Sequence, residues 1–533
     1  MMIAMMARLA AQVVKRPTHL AVLAGLAVSV GSSTAVGSGG GSEALPVREP
    51  AVAGTFYPGD AKKLRGAVRA YLEQAKRLTE AAPLALLAPH AGYVYSGQIA
   101  ADAYAHVQGH SYDLVVVLGT NHTQPGFEGV SLFRGRGYRT PLGLVPIDLE
   151  ATDRLISSER EFRFFPPVHE QEHSVEVQLP FLQEVLPGTA MVSAVVSSSD
   201  LLVCKQLGEH LADLAREKRM LLVVSSDLSH YPPYPVAEQI DRQTLKLIRR
   251  LDALDLIAFV QGPGLRVHGL ATAACGIGPI LVMQEYARRV GNLQGRVVSY
   301  ANSGDTVLGN RDRVVGYGAV VVVPASAPVT EENEPAKEKE NALRGSSLSI
   351  EDRRFLLRLA RRTVQQFVET ETVPLPRGGS ALLDEPSGVF VTLRKHGELR
   401  GCIGRIQADL PLRLAVARTA ISAATQDPRF FSVQPGELED LEFEISILSP
   451  PKRVGSADDI VPRRDGVILT KGDKSAVFLP QVWDEFEWEK DEFLDQLCRK
   501  AGLPLGCWRS DTEFLTFQAD VFSEKDVLAE PLQ

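Results

Sequence analysis

The stretch LALLAPHAGYVYSG, residues 84–97, decides how the first half of the chain folds. Five apolar residues run straight into Pro89-His90-Ala91-Gly92, and a helical pattern begins near Ser96. An apolar run this short, cut off by proline and glycine, predicts a buried strand of an α/β sheet. His90 then sits just past the strand's carboxyl end, where open α/β sheets bind their ligands. The arrangement recurs twice. DLVVVL (113–118) is followed by GTNH, ending at His122, and MLLVV (220–224) by SSDLSH, ending at His230. A single histidine in such a place is more often structural than functional. Three at equivalent strand ends can converge on one crevice, and imidazole is the commonest metal ligand. The sequence has no compact ligand motif such as HExxH, so the argument rests on this arrangement.

Composition bounds the rest. A chain of 533 residues is too long for one core, so two or more domains are expected. An apolar fraction of 45% and a charged fraction of 23% are those of an ordinary soluble protein. A net charge of −8 argues against a general nucleic-acid binder, whose footprint is basic, and no nucleic-acid partner is expected. The five cysteines are few, odd in number and without a CxxC spacing. Neither a disulfide framework nor a zinc ribbon is expected from them.

Residues 1–46 do not read as folded domain. Arg8, Lys15 and Arg16 precede an apolar run at 20–30, and Ser33 and Ala35 suit a signal-peptidase site. A secretory signal and a disordered extension are level readings of this segment. The apolar run favours export, whereas the sparse cysteines favour a reducing compartment and so a cytoplasmic protein. From residue 47 to 324, strands alternate with helical patterns near 60–78, 96–107, 201–217 and 236–259. Such alternation predicts an α/β domain with a mainly parallel sheet covered on both faces. HGLATAACGI (268–277) leads into a further helix with Cys275 near its start. A thiol near a helix N-terminus has a lowered pKa, which favours the thiolate. A buried inert cysteine is the commoner fate of a lone one. Residues 325–348 are rich in Pro, Glu, Lys and Ala and read as a linker. Residues 349–533 mix strands and helices without βαβ alternation, which predicts an α+β domain.

Several pieces of the first domain carry a resemblance: AGTFYPGD, APHAGYVYSG, LGTNH, TPLG, EHSVEVQLPFL, SSDLSHY and ACGIGPI. In this order they resemble the Memo family, protein B of the AmmeMemoRadiSam system, which has the fold of LigB-type extradiol dioxygenases. The resemblance implies a metal site of His90, His122 and Cys275, with Asp227, His230 and His173 lining the same cleft. Thr120 stands where the family usually has proline. LRGCIG (399–404), DPRFFSV, LEFEISILSP, FLPQVW and LCRKAGL resemble the AMMECR family, protein A of the same system. Arg400 and Cys402 are its natural site candidates, and a tight structural turn is an equal reading of LRGCIG.

Two histidines and a thiolate suit Fe(II), Zn(II) or Cu. The resemblance implies a metal-dependent redox protein, iron-bound, acting with a radical-SAM protein on an unidentified small molecule or peptide. In that scheme His230, oriented by Asp227, is the general acid or base. The alternative is a non-catalytic adaptor that binds a peptide or small molecule in the Memo-like cleft. A dioxygenase-like fold does not by itself establish ring cleavage.

Overall fold

A computed structural model describes residues 45–328 and 348–527, except 263, 264, 266, 268 and 374. The proposed signal segment and most of the proposed linker lie outside the described residues. Among the described residues, no helix is long and apolar enough to cross a membrane.

The first domain is built on one eight-stranded sheet. Its strands, in chain order, are β1 (Ala85–Ala88), β2 (Leu114–Thr120), β3 (Val130–Leu132), β4 (Phe162–Arg163), β5 (Met191–Val196), β6 (Met220–Ser225), β7 (Leu293–Asn302) and β8 (Gly316–Pro324). Their order across the sheet is β7-β8-β1-β6-β2-β5-β3-β4. The four central strands β1, β6, β2 and β5 run parallel. Antiparallel pairing of β8 with β1, and of β3 with β5, closes the two sides. The three strands read from the sequence are therefore neighbours, and every residue of each is buried. That explains their composition: a strand covered on both faces is nearly all apolar, and the polar exceptions, Thr120 and Ser225, stand at the carboxyl ends.

Helices cover both faces. On one side lie α1 (Ala61–Glu73) and α2 (Tyr93–Tyr104); on the other lie α3 (Leu201–Glu217) and α5 (Ile277–Val290), with α4 (Tyr234–Arg250) between them in sequence. Asp60 caps α1 by accepting from Lys63 N at 2.9 Å. Helix α2 starts at Tyr93, three residues before the expected start, because Gly92 already serves as its N-cap.

The second domain is α+β, as expected. Helices α6 (Ile350–Thr370) and α7 (Leu412–Thr425) pack on one face of an antiparallel sheet. That sheet contains β9 (Gly388–Lys395), β10 (Glu398–Arg405), β11 (Leu441–Leu448) and β16 (Ala519–Ser523), in the order β10-β9-β11-β16. A second antiparallel sheet, β12 (Lys452–Val454), β13 (Gly466–Lys471), β14 (Lys474–Phe478) and β15 (Glu513–Phe517), has its own small core with α8 (Lys490–Lys500). One expectation fails here. Cys498 and Cys507 form a disulfide with Cα atoms 5.9 Å apart. The chain leaves α8 and doubles back over nine residues, so the pairing is made by the fold and has no motif in sequence.

Candidate metal centre

Strands β1, β2 and β6 end side by side, and the segments leaving them build one cleft. His90 follows β1. Its Nδ1 lies 2.9 Å from Ser225 Oγ at the end of β6. That hydroxyl has one proton, which goes to Ser174 O at 2.7 Å, so the imidazole must be the donor. His90 is thus held with Nδ1 protonated and Nε2 free. Burial first, and then the neighbouring His122, push its pKa well below the ordinary value, so the ring is neutral.

His122 follows β2. Its Nδ1 is 2.9 Å from Glu172 Oε1, and its backbone N–H donates to Glu172 Oε2 at 2.7 Å. Glu172 also accepts from His173 N at 2.9 Å and Ser174 N at 2.8 Å. One carboxylate therefore fixes His122 and His173 together. Burial opposes charge on Glu172, but the bond from His122 prevails and holds its carboxyl at about 2. For His122 burial again opposes the charged form, and the bond to Glu172 outweighs it and raises the pKa. His173, by contrast, is lowered to about 4 by burial and by His90.

The three rings meet. Centroids are 5.1 Å apart for His90–His122, 5.4 Å for His90–His173 and 4.6 Å for His122–His173. One ligand atom from each lies within 4.8 Å of the other two. His90 is deep in the fold, while the His122 side chain keeps 29% of its surface exposed, so the cleft opens on that side. Close backbone approach makes the meeting possible. A side chain at Gly119 would run into Ser174 Oγ at 2.4 Å, and one at Gly276 into Ser226 Cβ at 2.6 Å.

Cys275 arrives from the turn before α5. Its Sγ is 3.1 Å from His90 Nε2 and accepts from Asp227 N at 3.3 Å. It lies in the expected cleft but outside the three-histidine group, whose third member is His173. The expected lowering of its pKa is corrected: burial first, and then Asp227, push the thiol up. The helix start is real, but desolvation of the thiolate is the larger effect. Asp227 Oδ1 accepts from His90 N at 2.8 Å and Ala91 N at 3.3 Å, so this carboxyl holds the backbone of the β1 exit. His230 Nδ1 faces Leu228 O at 2.9 Å; a carbonyl only accepts, so Nδ1 carries the proton and Nε2 is free. Thr120, at the family's proline position, donates Oγ1 to Cys275 O at 3.1 Å, tying the β2 exit to the thiol's own backbone.

In the second domain, Cys402 lies on β10 under Thr392, whose Oγ1 donates to its Sγ at 3.3 Å. Its N–H donates to Asp427 Oδ2 at 2.8 Å, and burial raises its thiol pKa. Arg400 is paired at 3.0 Å through both Nε and Nη2 with Glu437. Both candidates therefore sit in local networks of the second domain, and none of the cleft histidines is among their hydrogen-bond partners.

Glu172 is the functional residue that sequence reading missed. Its signal was present in the EHSVEVQLPFL piece, where an acid stands beside His173. Three imidazoles with an adjacent thiol are a donor set for one divalent transition metal, and a carboxylate behind a ligating histidine is the usual support.

Residues 48–321 match the Memo-like protein family, and residues 357–522 match AMMECR1. The chain belongs to the Memo-like family. It carries an AMMECR1 domain behind the Memo-like one. A MEMO1 family protein of Aquifex aeolicus is 36% identical over 279 residues, 51% of this chain and 98% of its own length. Another from Methanosarcina mazei is 35% identical over 281 residues, 52% of this chain and 100% of its own. Protein TK0174 of Thermococcus kodakarensis is 44% identical over 183 residues, 32% of this chain and 89% of its own. Among solved structures, uncharacterized protein PH0010 from Pyrococcus horikoshii shares 38% identity over 34% of this chain and 94% of its own, with a TM-score of 0.32.

Proposed function

We propose that the chain is a metal-dependent redox protein that holds iron on the imidazoles of its Memo-like cleft. In this reading it acts with the radical-SAM protein of the AmmeMemoRadiSam system on a small molecule or peptide. The observation that carries the reading is the convergence of His90, His122 and His173, with ligand atoms within 4.8 Å of one another. Iron bound there supplies redox capacity and open coordination positions.

The chain's own groups have distinct tasks. Ser225 and Glu172 each accept a hydrogen bond from an Nδ1–H, which leaves the Nε2 lone pairs of His90 and His122 for the ligand position. Asp227 orders residues 90 and 91 through their N–H groups. The Cys275 thiol, in contact with His90 Nε2, is a further donor to the same position. His230, with Nε2 free, accepts a proton from a bound substrate. The opening beside His122 is the path by which substrate enters.

Elemental analysis of anaerobically purified full-length protein tests this reading. The expected result is about one iron per chain, lost in the His90→Ala variant. Metal-free wild-type protein would return the cleft to the adaptor reading.

A further inference from the structure

We propose that the AMMECR1 domain is docked on the Memo-like domain through a specific interface, and that this interface, independent of the linker, holds the two halves together. Each domain pushes an apolar side chain into the other's core. Val307, on the turn after β7, is only 8% exposed and belongs to the core beneath α6 and α7. Leu375, just beyond α6, packs against the core of the Memo-like domain around α1 and α2. Such reciprocal insertion is what a cut through a single core looks like, and it is the signature of a permanent interface.

Polar groups fix the register. Asp102 of α2 is fully buried, and its carboxylate pairs with Arg377 of the second domain at 2.7 Å. Within its own domain Asp102 Oδ1 has the N–H of Lys76 at 2.9 Å, and Oδ2 has the Ser299 hydroxyl. Its countercharge therefore comes from across the interface. Arg418 of α7 donates to Gly304 O at 3.2 Å and Thr306 O at 2.7 Å. Those carbonyls flank Asp305 on the turn that presents Val307. At the rim, Lys63 of α1 meets Glu371 at the end of α6 at 2.7 Å, an exposed pair that contributes little. A buried carboxylate, two carbonyls and two apolar side chains all find partners across it, so the kind of partner this surface fits is the AMMECR1 fold.

The surface lies close to the candidate centre. Ser303 N donates to Val315 O at 2.9 Å, and Val315 N to Ser303 Oγ at 3.1 Å. Val315 in turn bridges to His230. The docked domain thus seats on the turn that backs His230. The MEMO1 relatives are matched over 98–100% of their length by about half of this chain, so a Memo-like half is a whole protein elsewhere.

The test uses the full chain with a protease site placed between residues 334 and 345. After complete cutting, size exclusion at about 1 µM should return both pieces in one peak at the intact mass. The same cut in an Arg377→Glu, Arg418→Glu variant should give two peaks, at least a tenfold weakening. Separation of the unaltered pieces overturns the proposal, and a variant that stays together overturns these residues as its basis. A second measurement does not depend on the variant's folding. A Cβ at Gly66 lies 3.5 Å from Thr370 Cγ2, so Gly66→Cys with Thr370→Cys should form a disulfide across the cut and run as one band without reductant. Failure of that bridge to form also overturns the docked arrangement.

Discussion

Two buried carboxyls of the Memo-like domain, Asp227 and Asp241, are held by neutral donors, whereas Asp427 and Glu437 of the AMMECR1 domain are paired with arginine. Asp241 is fully buried and is held by Ser229 N at 2.9 Å, Ser229 Oγ at 3.0 Å and Tyr300 Oη at 2.9 Å, with no cation among them. Asp227 is likewise buried, and burial raises its pKa. In the second domain, Asp427 faces Arg429 at 2.7 Å and Glu437 faces Arg400 at 3.0 Å. The difference teaches where chemistry can sit. Asp227, held by neutral N–H groups at the β1 exit, lies beside His90 without an arginine, while Asp427 and Glu437 already have theirs.

The largest expected effect tests that contrast directly. His90→Ala, His122→Ala and His173→Ala should each lower metal content at least tenfold, with folding largely kept, because none of the three lies within a strand of the sheet. Inductively coupled plasma analysis and thermal melts on the same samples decide it. Full metal in the His173 variant would hand the third position to Cys275, whose Cys275→Ser variant should then be the one that empties. Cys402→Ser is the counterpart in the other half and should leave metal content unchanged.

Glu172→Gln should have the next largest effect, a loss of about 10- to 100-fold in metal affinity, since Gln keeps the shape and loses the charge that holds two histidines. A titration with Fe(II) or Zn(II) under anaerobic conditions reads it. Unchanged affinity would mean that the backbone alone positions His122. This residue also marks how far the sequence could be read. The strands β1, β2 and β6 were legible because full burial dictates their composition, and His90, His122 and His230 were legible because they follow those strands. The partnership of His122 with Glu172 spans fifty residues, and that of Ser174 with Thr120 spans 54, so no local pattern encodes either. The Cys498–Cys507 bond was missed although only nine residues separate the two, because no motif marks the pairing, and the Cys275 pKa because helix position is visible in sequence whereas desolvation is not.

A smaller effect is expected when the arginine side of the comparison is removed. Arg400→Ala takes the two-point partner from Glu437, leaving Lys395 at 3.4 Å and Gln434 N at 3.0 Å, and should cost about 1 kcal/mol of stability without touching the metal. Denaturant melts followed by tryptophan fluorescence suit this measurement, because all three tryptophans, Trp483, Trp488 and Trp508, lie in the AMMECR1 domain. Loss of metal in Arg400→Ala would break the separation of the two halves.

The pH dependence of stability should have opposite signs at two carboxyls, Asp241 of the Memo-like domain and Asp427 of the AMMECR1 domain. Burial raises Asp241 to about 6, and its hydrogen bonds from Ser229 and Tyr300 only partly offset that. Its unfolded value is about 3.9, so between about pH 4 and 6 the folded state holds more protons than the unfolded one. Stability of the Memo-like domain should therefore fall as pH rises through this window, by up to about 3 kcal/mol, and level off above it. Asp427 goes the other way. The bond from Arg429 lowers it to about 2, helped by Cys402 N–H and opposed by burial. Its contribution is present above about pH 4 and is lost as pH falls toward 2. Because Arg429 is half exposed, the effect should be nearer 1–2 kcal/mol. Urea melts of the full chain from pH 2 to 7 read both, with fluorescence following the AMMECR1 domain and far-UV circular dichroism the whole chain. Docked domains can unfold together, so variants assign the slopes. Asp241→Asn should remove the fall between pH 4 and 6, and Asp427→Asn should shrink the acid loss below 4, the rest of which Glu437 and Glu172 carry. If Asp241→Asn leaves the fall in place, another buried acid carries it, and Asp227 is the first to examine.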